Sequence, residues 1–306
     1  GLTTAAILGM LDSRYLEARA QMESGAPQRQ PLERRTLGRT DLEVSVIGFG
    51  AILLRDRPAS DAPSFVAEAI DRTVNFFDVA PEYGDSESKL GPALKPYRDK
   101  GVLACKTARR DADGARAELE RSLRLLQTDH FDLYQLHHVE RPEEVECLFA
   151  PGGAMEVLTE AKEAGKVRYL GFSAHSEEAA LALLDRFDFD TCMFPLSFNI
   201  WWNGNFGPEV HKRLVEDNRG ILAIKAISHG QRRRGRGGNN PGAEGVWNTW
   251  YEPLRELDRI GLALRFTANL PVHSIVPPGN WELHKLALDF AQSGALTPLN
   301  EDETKL

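Results

Sequence analysis

Between residues 44 and 276, short apolar runs alternate eight times with longer amphipathic stretches. The apolar runs are 44–50, 76–80, 102–107, 131–137, 167–173, 191–196, 221–227 and 272–276. Each is short and continuous rather than alternating, the pattern of a strand buried on both faces of a parallel sheet. The stretches between them carry helical spacing. In 114–126, Leu119, Leu123 and Leu126 recur beneath a charged face. Eight strand–helix units in about 250 residues predict a (β/α)8 barrel, because a doubly wound sheet rarely reaches eight alternations in one domain. The glycine fingerprint of a dinucleotide fold is also missing. Gly48-Phe49-Gly50-Ala51 comes nearest and lacks the third glycine.

Composition narrows the class without changing the fold. Of 306 residues, 42% are hydrophobic and 27% charged, enough to build a large core. Thirty-seven basic against 45 acidic residues give a net charge of −8, which argues against nucleic acid or an anionic membrane as partner. The three cysteines, at 105, 147 and 192, make neither a disulfide framework nor a zinc knuckle. Residues 1–34 are expected to form an extension and linker ahead of a barrel spanning 35–306. Apolar residues 2–11 run into Ala18-Arg19-Ala20, which reads either as the remnant of an export signal or as an amphipathic helix. The expected compartment is the cytoplasm, or the periplasm if the signal reading holds.

In a parallel barrel, chemistry is placed at the C-terminal ends of the strands. Asp78 ends the second run, Tyr83 follows it, Lys106 lies in the third and His137 ends the fourth. An ammonium beside a phenol favours the phenolate and lowers its pKa; the carboxylate holds the ammonium, and a neutral imidazole fixes a carbonyl oxygen near the phenol. Such a set protonates an alkoxide as it forms. The hydride must come from a cofactor, since no side chain supplies one.

The strings FFDVAPEYGDSESKLGPALK, VLACKT, SLRLLQTDHFDLYQLHHV and KVRYLGFSAHS resemble the aldo/keto reductase superfamily in order and spacing, over about Arg35 to Gln292. The resemblance implies a barrel, usually NADPH, and reduction of aldehydes or ketones. It carries the catalytic tetrad onto Asp78, Tyr83, Lys106 and His137. It also makes Gly50, Ala51, Ser173, Met193, Lys225, Arg236 and Gly279 candidate cofactor contacts. Three departures stand out. Ala174 and Met193 replace an Asn and a Gln that grip the nicotinamide carboxamide, and Asn280-Trp281-Glu282 offers no cation for a 2′-phosphate. NADP(H) is expected over NAD(H), with the arginines of 232–236 as replacement phosphate ligands or as a solvated loop.

The expected substrate is a small carbonyl compound, sugar-like or aromatic, with Trp201, Trp202, Trp247, Trp250 and Tyr251 available to line the mouth. Of two adjacent histidines, His138 is expected to alternate away from the mouth and pack. No metal is expected. Two rival readings remain: a barrel that binds cofactor with little turnover, and a non-redox lyase or hydrolase using a Schiff base on Lys225 or a metal on His137, His175 and His229.

Overall fold

The computed structural model describes residues 11–23, 29–231 and 248–305. Its strands run β1 (Arg34–Thr36), β2 (Glu43–Ser45), β3 (Phe49–Gly50), β4 (Phe76–Asp78), β5 (Val102–Thr107), β6 (Phe131–Val139), β7 (Val167–Ala174), β8 (Thr191–Pro195), β9 (Gly220–Ile224), β10 (Ser228–Gln231), β11 (Tyr251–Pro253) and β12 (Ser274–Val276). Eight of them form one sheet in the order β12-β9-β8-β7-β6-β5-β4-β3. All its pairings are parallel. The two edges meet where Gly48 N donates to Ile275 O (2.9 Å) and Ile275 N donates to Val46 O (2.8 Å). The chain is therefore a (β/α)8 barrel.

Period-two alternation divides each strand between two cores. Phe77, Leu103, Tyr134, Phe172, Cys192 and Phe194 face outward to the helices. Phe76, Val102, Ala104, Leu133, Met193 and Leu222 fill the lumen. Helix Ala112–Leu126 shows the outer packing: Leu119, Leu123 and Leu126 are buried, and Asp111 caps it by accepting from Gly114 N at 2.7 Å.

The first apolar run departs from its expectation as a single strand. β2 pairs antiparallel with β1, and only β3 joins the barrel. Ser45 is the break: its amide donates to Asn75 Oδ1 (2.8 Å) and its hydroxyl to Ile47 O (2.7 Å). The β1–β2 hairpin closes the N-terminal end of the lumen, where Leu37, Leu42 and Val44 join the lumen core. A Cβ on Gly220 would lie 2.7 Å from Leu37 Cγ, so Gly220 leaves the space that Leu37 fills. Leu37→Ala is expected to cost about 2–5 kcal/mol, the range for emptying a buried leucine site. Urea unfolding checks this, and an unchanged midpoint would contradict a packed plug.

Helix Ser13–Glu23, which falls in the predicted extension, packs on the barrel's helices. Tyr15 is fully buried, stacks on Phe290 at 6.0 Å between centroids, and occupies room left by Gly261. Glu303 ties this corner by accepting from Asp12 N (2.9 Å) and pairing with the buried Arg265. No described helix is long and apolar enough to cross a membrane.

Candidate active site

Alternation places Asp78, Lys106 and His137 on lumen-facing positions of three consecutive strands, β4, β5 and β6. Asp78 sits opposite Ala104, so Lys106 stands one lumen-facing position above it and reaches across. The Lys106 ammonium donates to Asp78 Oδ1 and, at 3.3 Å, to Val79 O. Both side chains are buried, with exposures of 0% and 2%. Beyond β4 the chain turns through Tyr83, whose carbonyl accepts from Ser86 N (3.2 Å) and Ser86 Oγ (2.7 Å). Gly84 has φ +63°, a left-handed conformation that glycine adopts freely. The turn sets the Tyr83 ring 5.2 Å from Lys106 Nζ and edge-on to His137 at 5.7 Å. All four tetrad side chains converge.

The electrostatics differ from the sequence expectation at the phenol. Burial pushes Tyr83 up to about 12, outweighing the pull of Lys106, while the charge on Asp78 works against that pull. Burial also opposes the charge on Lys106, but Asp78 overrides it and holds the ammonium above its ordinary value. Tyr83 thus keeps its proton at neutral pH, the form required of an acid. Burial holds His137 below the usual imidazole range although Glu82 pulls the other way. Its Nδ1 lies 2.8 Å from Glu82 Oε2, and this contact in turn lowers the Glu82 carboxyl. The physical picture is a neutral ring braced by a carboxylate.

Asp78, Glu82, Tyr83 and His137 open onto a cavity of about 490 Å³. Of the candidate cofactor contacts, Gly50, Ser173, Met193, Lys225 and Gly279 line it. Ala51 does not: it is buried in the outer core. Arg236 and Trp247 lie outside the described residues. Among the other aromatics, Trp250 and Tyr251 line the cavity, with Trp250 6.5 Å from the Tyr83 ring. Trp201 and Trp202 pack instead on Phe266, at 5.9 and 4.8 Å, because the helix after β8 turns them toward helix Leu257–Asn269. Trp281 is likewise a core residue, stacked on Phe65 at 4.1 Å. Wider clefts of about 670 and 570 Å³ lie around Gln30 and His273, away from the tetrad.

His138 corrects the alternation argument. Its φ is +56°, and the β6–β7 register shifts between Leu136 and Val139. This bulge brings His138 into the cavity wall beside His137. Wall residues not singled out from the sequence include Arg55, Glu82 and Asn248. The Asn248 amide donates to Arg55 O at 2.8 Å, which leaves its buried Oδ1 without a partner. Ser173 Oγ accepts from His138 N at 2.8 Å and keeps its own proton to donate. The Ser173 hydroxyl on β7 suits one group of a bound carboxamide, whereas the unpaired Asn248 acceptor lies three strands away, beside Gly279 after β12. Arg55 and Lys225 are the cavity-lining cations among the described residues, and burial lowers the pKa of Lys225.

Comparison with known proteins agrees with this geometry. Residues 46–291 match the model of the aldo/keto reductase family. The chain is 34% identical over 166 residues to aldo-keto reductase YhdN of Bacillus subtilis, covering 48% of each chain. It is 33% identical over 170 residues to L-galactose dehydrogenase of Arabidopsis thaliana, covering 51% of this chain and 52% of that protein. It thus spans about half the length of these curated relatives. An aldo-keto reductase of Bacillus halodurans superposes with a TM-score of 0.67 at 23% identity, over 90% of this chain and 94% of that one, which shows a shared fold.

Proposed function

Because the chain belongs to the aldo/keto reductase family, we propose that it is an oxidoreductase reducing an aldehyde or ketone to an alcohol with a nicotinamide cofactor. The observation that carries this reading is the buried Lys106–Asp78 pair beneath a protonated Tyr83. A nicotinamide supplies the hydride when bound. Ser173 would hold its carboxamide, beside the Ala174 and Met193 that stand where an Asn and a Gln are usual, and Arg55 and Lys225 would meet its phosphates.

The chain's own residues then handle one proton. As negative charge grows on the carbonyl oxygen, Tyr83 Oη gives up its proton to it. Lys106, charged and fixed by Asp78, stabilises the phenolate that remains. His137, neutral and braced by Glu82, walls the side of the site against which the carbonyl oxygen lies. Trp250 covers the ring of Tyr83 and offers an apolar surface to a sugar-like or aromatic substrate.

Titration with NADPH and separately with NADH, read by quenching of tryptophan fluorescence, tests the cofactor half of this reading without assuming a substrate. Saturable quenching by at least one of them is expected, since Trp250 lines the cavity. Arg55→Ala should weaken it, more for NADPH if that guanidinium meets the 2′-phosphate. Binding of neither cofactor would overturn the reading.

A further inference from the structure

The bulge that turns His138 into the cavity also assembles a second group of side chains. Past the bulge, Val139 pairs with Ala174, and His175 N donates to Val139 O at 3.1 Å. Residues 138–140 and His175 therefore lie side by side on two hydrogen-bonded strand ends. His138 is pinned further by the bond from its amide to Ser173 Oγ. Its Nε2 is 3.3 Å from Glu140 Oε1, and its ring meets His175 edge-on at 4.5 Å. One ligating atom from each of His138, Glu140 and His175 lies within 4.8 Å of the others, the one such cluster among the described residues.

We propose that His138, Glu140 and His175 bind a divalent transition-metal ion, Zn2+ or one of similar ligand preference, at the rim of the cavity beside Tyr83. Two imidazoles and one carboxylate are a recurrent donor set for such ions, whereas Mg2+ favours all-oxygen sites. Three protein ligands leave at least one coordination position open. His138 and His175 both line the cavity that holds Tyr83, so that position can take a water or an oxygen of a cavity ligand. The strand ends are held by backbone bonds, and closing 4.8 Å to a common metal takes only side-chain rotation.

The cluster already attracts a cation. Lys225 Nζ lies 3.3 Å from His175 Nδ1. A tethered ammonium on the ring's lone pair competes with a metal for it. Removing the ammonium should therefore tighten metal binding, an outcome that a merely structural histidine cluster would not produce.

The test uses the full chain, stripped of metal and without cofactor. Calorimetric titration with ZnCl2 is expected to show one equivalent bound, Co2+ to give visible absorption bands, and Mg2+ to give no heat. His138→Ala and His175→Ala should each weaken Zn2+ binding more than about tenfold, and Lys225→Met should strengthen it. Should a histidine variant fail to fold, Glu140→Gln, at an exposed side chain, reads the same site. Absence of one-equivalent Zn2+ uptake, or uptake unchanged in these ligand variants, would overturn the proposal. Since no turnover is measured, that failure leaves the reductase reading intact, and the cofactor titration can fail without touching this one.

Discussion

Tyr83→Phe is expected to lower kcat for carbonyl reduction by about 10²–10⁴-fold, the usual worth of a positioned proton donor. It should leave cofactor quenching of tryptophan fluorescence close to that of the unmodified chain. The substitution removes one hydroxyl from a ring that is 8% exposed and keeps the ring's contacts with His137 and Trp250. On the proposed reductase reading, what disappears is the proton that would meet the developing alkoxide. With Tyr83 held up to about 12, the acid form persists through neutrality, and loss of activity by its deprotonation begins only as pH rises toward that value. Reductive kcat/KM should therefore show no fall attributable to Tyr83 between about pH 6 and 9. A variant retaining kcat would remove Tyr83 from the donor role, and a wild-type loss centred near pH 7 that the variant lacks would show that burial does not control the phenol.

The barrel and the strand-end places of Asp78, Lys106 and His137 were legible because they follow from periodicity, whereas Tyr83, in the turn beyond β4, was pointed to by the family resemblance. A continuous apolar run marks a doubly buried strand, and a polar residue at its C-terminal end has the cavity as its natural place; Asp78 and His137 obey that rule, and Lys106 lies buried against Asp78. Features made by irregular backbone were not legible. The run at 44–50 contains no Gly-Pro punctuation at Ser45, yet Asn75 binds that serine and divides the run between plug and barrel. His138 takes a left-handed conformation without being glycine, so a rule of strict alternation sends it the wrong way. Arg55 and Asn248 are far apart in sequence and meet only through loops, where no periodicity operates. The cation at the cavity wall was equally hidden. A search for arginine beside Asn280 looks in a segment whose Trp281 is committed to packing on Phe65, while Arg55 approaches from the other side of the chain.

The Lys106–Asp78 pair separates what the site costs the fold from what it contributes to chemistry. Lys106→Met is expected to destabilise the protein by about 3–5 kcal/mol, because it leaves the buried Asp78 carboxylate without its partner. It should also abolish most turnover, since the phenolate formed on Tyr83 loses the adjacent cation. Taken alone, that result could be a folding defect. Adding Asp78→Asn removes the stranded charge, and the double variant should recover most of the lost stability while staying inactive. Chemical denaturation on all four members of the cycle, alongside steady-state rates, gives both readings. If activity returned together with stability, the pair would be a structural bridge with no part in setting the acidity of Tyr83. If stability failed to return, the destabilisation would come from the packing of the lysine stem rather than from an unpaired charge. The expected split, stability restored and rate still lost, places the ammonium's charge in the reaction and its desolvation cost in the fold.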